Sequence, residues 1–382
     1  RRLLPPCTLT ACTLSADTGG GCSRESRTRF ETGSSRGPQL EAGRDVVPLV
    51  SICIPTYNTM QYLAEAVDSA LGQEGADLEV VVCDDGSTDG TEEHCREIRD
   101  ERFRYLRFTH GGGQATNFNR CIEVARGSLL TLLHADDRLL PGFIADRVER
   151  LQREGGPGFV FGAVEIIDAR GERTGIDRRW PDDRRLRQEE LLQTFLLGSA
   201  VSPPSLMVRR DLAIAAGPFR SDLTWGHDWE WAIRLALVSD AQYDATPHAS
   251  YRVHESSGTA AELNAARNGA QERRILQESL KQVDRFDASL MRLRRPAFRA
   301  LGLRHMYFAE RGLLGNRPQV TRHNLSYAVR AHWPLLLRPT FWALCVACLA
   351  WPPFYPWFLR VVERRGSRSP DVGTSGEGQQ GV

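Results

Sequence analysis

From residue 49 to residue 133 the chain alternates short unbroken apolar runs with longer stretches where apolar residues return every three or four positions. The runs cover 49–54, 78–83, 103–108 and 129–133, and their length and aliphatic content predict buried strands. After the first run, Tyr62, Leu63, Ala66, Val67, Ala70 and Leu71 share one helical face. After the second, Asp89 and Glu92 have the spacing of a capping box and predict a helix start. After the third, a helix should carry Asn117, Asn119, Ile122 and Ala125, with Gly127 closing it. Strands alternating with helices predict a doubly wound, largely parallel α/β sheet.

Beyond residue 150 the pattern is less regular. Residues 158–167 read as one strand, and the mixed Arg and Asp run 170–190 as a solvated loop and helix. A short strand at 206–208 leads to a helix from Asp211 that stops near Gly217 and Pro218. Trp225 to Glu230 open another helix, continued by Trp231, Ile233, Leu235 and Leu237, and a strand ends at 251–254. Residues 260–314 read as mostly helical. Residues 339–359 carry no charge, but Pro352, Pro353 and Pro356 leave an intact helix of only 340–351, too short to cross a bilayer. Trp342, Trp351, Tyr355 and Trp357 between Arg338 and Arg360 suit a membrane interface through 340–359; a helix buried on the domain and a true span are the alternatives. Residues 1–45 lack apolar periodicity and the apolar core of a secretory signal, so a disordered segment is expected there. The chain then divides into 1–45, an α/β domain at 46–258, a helical C-terminal extension at 259–333, an apolar Trp-rich segment at 334–362 and a disordered tail at 363–382.

Composition narrows this picture. With 41% hydrophobic and 25% charged residues and a net charge of +1, the chain is an ordinary globular protein with no bulk charge for nucleic acid. Of nine cysteines, Cys53, Cys83 and Cys121 fall in apolar-periodic segments and read as free core thiols. That use predicts a reducing, cytoplasmic setting, and contact through 340–359 would place the protein on the cytoplasmic membrane face. Cys345 and Cys348 have metal-like spacing but no second pair, and read as packing.

The chemistry sits where the apolar runs stop. The fourth run ends at His134, Asp136 and Asp137. Acidic groups at the end of a buried strand either bind a cation or cap the helix that Pro141 and Gly142 begin. The second run ends in Asp84 and Asp85, the first in Pro55, Thr56, Tyr57 and Asn58. All these ends belong to the sheet edge where ligands of open α/β folds collect. Each residue also has a plain structural explanation: Tyr57 a packed loop aromatic, Asp85 a turn residue before Gly86, Asp228 a helix-start aspartate, His254 a strand-end histidine.

Taken together these pieces resemble the inverting family-2 glycosyltransferases of the GT-A fold, over about 50–254. The resemblance rests on 50–58, on 82–89, on Asn119 eight residues before Gly127, on 134–137, on Trp225 to Asp228 and on Tyr251 to His254. It implies a Rossmann-like, mostly parallel sheet flanked by helices. It also implies sugar transfer, with inversion, from a nucleotide-diphosphate sugar (UDP-linked by expectation) to a hydroxyl on a glycan or lipid-linked acceptor, in polysaccharide or glycolipid biosynthesis. By the same resemblance Pro55, Thr56, Tyr57, Asn58, Asp85, Asn119, Asp136 and His254 would bind the donor. Asp136 and Asp137 would hold a divalent cation, Mg²⁺ or Mn²⁺, and Asp228 would be the catalytic base. The chain departs from the family pattern at His134 (first position of the Asp-x-Asp motif), at His227 (Glu beside the base) and at Phe118 (Arg before the Asn). A non-catalytic nucleotide-sugar-binding protein and a nucleotidyltransferase are the competing readings. The latter would want a Gly-rich basic loop after the first strand, which Pro55 to Asn58 does not provide.

Overall fold

The computed structural model describes residues 50–109, 111–255, 257, 268–315 and 317–349. The segments expected to be disordered at 1–45 and 363–382, and the Trp-rich stretch beyond Leu349, lie outside the described residues.

The first half follows the apolar pattern. Strands β1 (Val50–Thr56), β2 (Leu78–Asp84), β3 (Phe103–Arg107) and β4 (Leu129–Leu132) are joined by helices α1 (Met60–Leu71), α2 (Thr91–Glu97) and α3 (Gly113–Val124). They pair in parallel in the order β3-β2-β1-β4. β1 and β2 are buried along their whole length, so apolar side chains fill both faces apart from buried Ser51, Thr56, Glu79 and Asp84, of which Ser51 donates to Glu79 across the pair. In α1 the predicted stripe is the observed one: Leu63, Ala66, Val67 and Ala70 are buried. Two helix ends differ from expectation. Gly90, in a left-handed conformation, caps α2, because Asp89 turns back to accept hydrogen bonds from the Met60 amide and the Thr91 hydroxyl. Helix α3 ends before Gly127, at Ala125, whose extended backbone already leaves the helix.

The sheet continues as β4-β10-β6-β11-β9, where β10 (Met207–Arg209) is antiparallel to both neighbours, β6 (Phe159–Gly162) and β11 (Ala241–Asp244) are parallel, and β9 (Arg184–Leu186) is antiparallel to β11. The run 158–167 is two strands rather than one. The chain switches sheets at Ala163, and a side chain on Gly162 would lie 2.5 Å from the Asp244 carbonyl oxygen, so only glycine lets β6 approach β11 so closely. Its continuation, β7 (Val164–Ile167), joins a smaller sheet, β5-β12-β7-β8, with β5 (Arg138–Leu139), β8 (Arg173–Asp177) and β12 (Ala249–Arg252). The charged run 170–190 likewise contains β8 and β9 (Arg184–Leu186) before α5 (Gln188–Leu196). Both strands lie at sheet edges, where exposed charge blocks further pairing and resembles loop sequence.

Helices α4 (Phe143–Gln152), α6 (Arg210–Ala216) and α7 (His227–Val238) complete the α/β part. Helices α8 (Asn268–Phe286) and α9 (Arg294–Leu314) are not an appendage: Ile275, Leu276, Leu280, Val283, Ala297 and Leu301 share one buried cluster with Phe159, Phe195 and Trp229. Helices α10 (Pro318–Ala331) and α11 (Pro339–Leu349) follow. Phe341, Leu344 and Cys348 of α11 are buried against α9 and α10, while Trp342 and Val346 are 55% and 62% exposed. Cys345 and Cys348 therefore serve packing. Among the described residues no helix is long and apolar enough to cross a membrane.

A polar network bolts α4 to β11. Arg147 is fully buried and donates to Asp244 and to the Ser205 carbonyl; Arg150 pairs with Asp146, Asp183 and Asp244, and His248 bonds Asp244 at 2.9 Å. Asp146, Asp244 and His248 lie close enough to suggest a metal site, but the two arginines already neutralise the carboxylates. Burial alone would raise the Asp244 pKa; the His248 hydrogen bond and the Arg147 charge outweigh it and hold the carboxyl far below the usual range.

Candidate active site

The carboxyl ends of β1, β2 and β4 open into a cavity of about 1670 Å³, larger than the 300–1,000 Å³ typical of one small ligand. Pro55, Thr56, Tyr57, Asn58, Asp85 and Asp136 line it from these strand ends, and Asp228 and His254 from elements later in the chain. Asn119 does not reach it. Its carboxamide accepts from the Phe219 amide at 2.7 Å and donates to the Phe219 carbonyl at 2.9 Å, so it pins the loop after α6 instead.

The loop after β1 is held by the loop after β2. Asn58 sits in the left-handed region at φ 52°, a conformation asparagine tolerates. Its amide donates to Ser87 Oγ and its side-chain carbonyl accepts from the Thr88 amide. Tyr57 is left 45% exposed on the cavity rim. Of the two acids ending β2, Asp84 is structural: fully buried, it accepts hydrogen bonds from Ser87, Tyr105 and Arg107. Asp85 faces the cavity and pairs with Arg120 at 2.5 Å. Asn117 was not singled out by the sequence. It donates to the Cys83 carbonyl at 2.8 Å and the Thr56 carbonyl at 3.3 Å and so holds the ends of β1 and β2 together. The one available signal was a polar residue on the inner face of α3.

At the end of β4 a tight turn, closed by the Asp137 amide on the His134 carbonyl, brings His134, Asp136 and Asp137 together, with a potential ligand atom of each within 4.8 Å of the others. Asp137 is 1% exposed; one carboxylate oxygen accepts from the Arg252 amide, and the other is buried without a hydrogen-bond partner among the described residues. Burial, then the charge of Asp136, push its pKa well up. A buried carboxylate oxygen lacking a donor, beside a second carboxylate and an imidazole, fits a bound cation. His254 approaches from the end of β12, its Nε2 3.0 Å from Asp136.

Asp228 lies in the first turn of α7, after Gly226 at φ 72°. A side chain on Gly226 would press on Ile275 of α8 at 3.0 Å. The turn is gripped by α8: Gln271 accepts from the Thr224 and Trp225 amides, and Glu272 from the Trp225 indole. Among the described residues Asp228 has neither a hydrogen bond nor an ion pair, which leaves its carboxylate available to a ligand. Glu230, two residues on, is buried and paired with Arg234. His227 packs edge-on against Phe118 and Phe219, and burial holds its imidazole below the usual pKa despite the Asp228 charge. His134 stacks on Phe118 from another side, at 5.3 Å. The three departures from the family pattern thus form one aromatic wedge beside Asp228.

Residues 51–215 match the model of glycosyl transferase family 2. An uncharacterized protein of Mycobacterium tuberculosis is 34% identical over 60% of this chain and 75% of its own length. An uncharacterized glycosyltransferase of Rickettsia typhi is 30% identical over 57% of this chain and 68% of its own. Chondroitin synthase of Escherichia coli is 35% identical, over 35% of this chain and 20% of that larger protein. Among solved structures, Staphylococcus aureus TarS (residues 1–349, with UDP) covers 74% of this chain and 88% of its own at 17% identity and a TM-score of 0.47. The parallel β3-β2-β1-β4 core, the antiparallel β10 beside it and the acidic end of β4 are the GT-A arrangement, and the matched segment and the rickettsial relative give it a lineage: the chain belongs to glycosyl transferase family 2.

Proposed function

We propose that this transferase moves a sugar, with inversion, from a nucleoside-diphosphate sugar, most simply a UDP-sugar, to a hydroxyl of a glycan or lipid-linked acceptor in cell-envelope polysaccharide synthesis. The observation that carries the reading is the cavity: Tyr57, Asp85 and Asp136 line one side of it and Asp228 another. Tyr57 offers a face for a base to stack on, and Asp85 an acceptor for a ring N–H. Asp136 and Asp137, with His134 beside them, would hold a divalent cation. When bound, such a cation offsets the negative charge of a leaving diphosphate. Asp136 is kept in place by His254, and Arg252 orders the turn by donating to the Asp136 carbonyl and to Asp137. Asp228 takes the proton of the acceptor hydroxyl as that oxygen attacks the anomeric carbon and the bond to the diphosphate breaks. A panel of nucleotide sugars with Mg²⁺ or Mn²⁺, read by release of nucleoside diphosphate, tests the reading. Binding without turnover would make the protein a sensor, and release of pyrophosphate a nucleotidyltransferase.

The cation reading has its own test. Asp136→Ala should remove the ~10–100-fold gain in UDP affinity that a divalent ion confers, at the low end of what metal-site changes cost, while the circular dichroism of the sheet is kept. Titration calorimetry with and without Mn²⁺ measures it; an equal gain in both proteins would exclude Asp136 as a ligand.

We further infer a cytoplasmic enzyme resting on the membrane face. Cys53, Cys83, Cys95 and Cys121 are buried free thiols, in keeping with a reducing compartment. Trp333, Leu337, Trp342 and Val346 stand out around Arg338, 66%, 76%, 55% and 62% exposed in the order of the apolar side chains. Because α11 also buries Phe341 and Leu344, substitution is a cleaner test than truncation. Trp342→Ser with Val346→Ser should cut sedimentation with phosphatidylglycerol vesicles ~10-fold or more, from the loss of a few kcal/mol of apolar transfer. Undiminished sedimentation would remove this face from the membrane.

A further inference from the structure

The charges lining the cavity are unevenly placed. Its donor half, at the strand ends and α3, is lined by Asp85, Asp89 and Asp136 and by no lysine or arginine. Among the described residues, every guanidinium lining the cavity lies in the other half: Arg178 and Arg179 from the connection between β8 and β9, and Arg304 from α9, with the carboxylates of Asp177 and Glu272 among them.

Arg304 is held ready rather than used up. Its guanidinium lies 4.8 Å over the Trp229 ring, beside Gly198. Its Nε is buried and has no hydrogen bond among the described residues, with Glu272 at 3.5 Å as its ion partner. Glu272 is itself 2% exposed; one of its oxygens accepts the Trp225 indole, and the other lies between Arg304 Nε and His305 Nε2, so it meets Arg304 at Nε and not at the two terminal nitrogens of the fork. Arg178 and Arg179 form neither a salt bridge nor a side-chain hydrogen bond among the described residues, and Arg179 lies 5.3 Å from the Trp180 ring. A planar fork fixed on an aromatic face is pre-organised for bidentate pairing with a carboxylate or phosphate. Trp225 adds an aromatic surface to the lining, whereas the Trp180 ring already carries Arg179 and Arg184, each at 5.3 Å.

We propose that this half is a subsite for an anionic acceptor, one whose carboxylate or phosphate is bound by Arg304 and Arg179 while its sugar ring rests on Trp225. The proposal builds on the donor assignment above, because it reads as acceptor space what the donor leaves over. It selects the acceptor by charge and brings the acceptor hydroxyl to Asp228, which lines the same cavity.

The test uses the full chain saturated with UDP and Mn²⁺. Three probes are titrated: an oligosaccharide ending in a uronic acid, the same oligosaccharide with that carboxyl reduced to the alcohol, and a sugar phosphate. The anionic probes should bind at least ~10-fold more tightly than the neutral one, the equivalent of one charge-assisted pair, and the difference should shrink with added salt. Whichever anion gains more identifies carboxylate or phosphate as the source. Arg179→Gln, at an exposed position, and Arg304→Gln should each reduce the difference. Equal binding of charged and neutral probes, no binding of any probe, or selectivity that survives both substitutions would overturn the proposal. So would anions that bind only by displacing UDP, since the arginines would then serve the diphosphate. Failure of wild-type protein to bind UDP at all would instead sink the donor assignment, so the two failures are distinguishable.

Discussion

Asp228→Asn should lower turnover by ~10²–10⁴-fold, the usual effect of removing a positioned base, and leave nucleotide-sugar affinity near its wild-type value. Asparagine keeps the shape of the side chain and can still accept a hydrogen bond, but it cannot take the acceptor's proton. The carboxylate is well placed for that proton: it lines the cavity, sits at the start of α7 and has no competing cation among the described residues. Steady-state rates with the active donor, set beside calorimetric affinities for UDP, give the required split. Transfer at close to the wild-type rate would remove Asp228 from the mechanism. Glu230 does not offer an alternative, because it is buried and bound to Arg234.

The largest stability effect should come from the network that bolts α4 to β11. Arg147→Ala strands Asp244, which is fully buried, with part of its compensation gone. Breaking a buried pair by removing one partner costs ~3–5 kcal/mol. Urea unfolding should show it as a lower midpoint at unchanged slope, and a midpoint near wild type would mean that Arg150 and His248 suffice. The network also sets a pH signature. Because the folded pKa of Asp244 is depressed, its contribution is complete above its ordinary value of 3.8 and is lost as the pH falls from there toward the folded value. Acid unfolding of the Arg147 variant should therefore be less steep in that window than that of the native protein.

These two sites were unequally legible. The first four strands, their parallel order and the α1 stripe follow from apolar runs and helical spacing, because both faces of a central parallel strand are buried and leave an unbroken signature. Tyr57, Asp85, Asp136, Asp228 and His254 were also visible, because together they match one family's pattern although Tyr57, Asp85, Asp228 and His254 each have a plain structural explanation alone, and the structure gathers them around one cavity. Strands β8, β9 and β11 were not, because edge strands carry charge and short strands carry little period. Asn119 was misplaced for a different reason. A motif fixes a residue's position along a helix, but which backbone its amide meets depends on Phe219, a hundred residues away. Arg147, Arg304 and Glu272 were invisible in principle, since nothing local distinguishes a buried, paired charge from a solvated one.

The grip of α8 on the turn before Asp228 separates the recognisable signature from the working unit. Gln271 and Glu272, which fix that turn, lie well beyond the matched stretch 51–215. Partial opening of α8 would release the Trp225 indole and the two amides at once and let the carboxylate wander, with the sheet still intact. On the proposal that Asp228 is the base, the fraction of molecules able to react at any instant is the fraction in which this distant helix is closed.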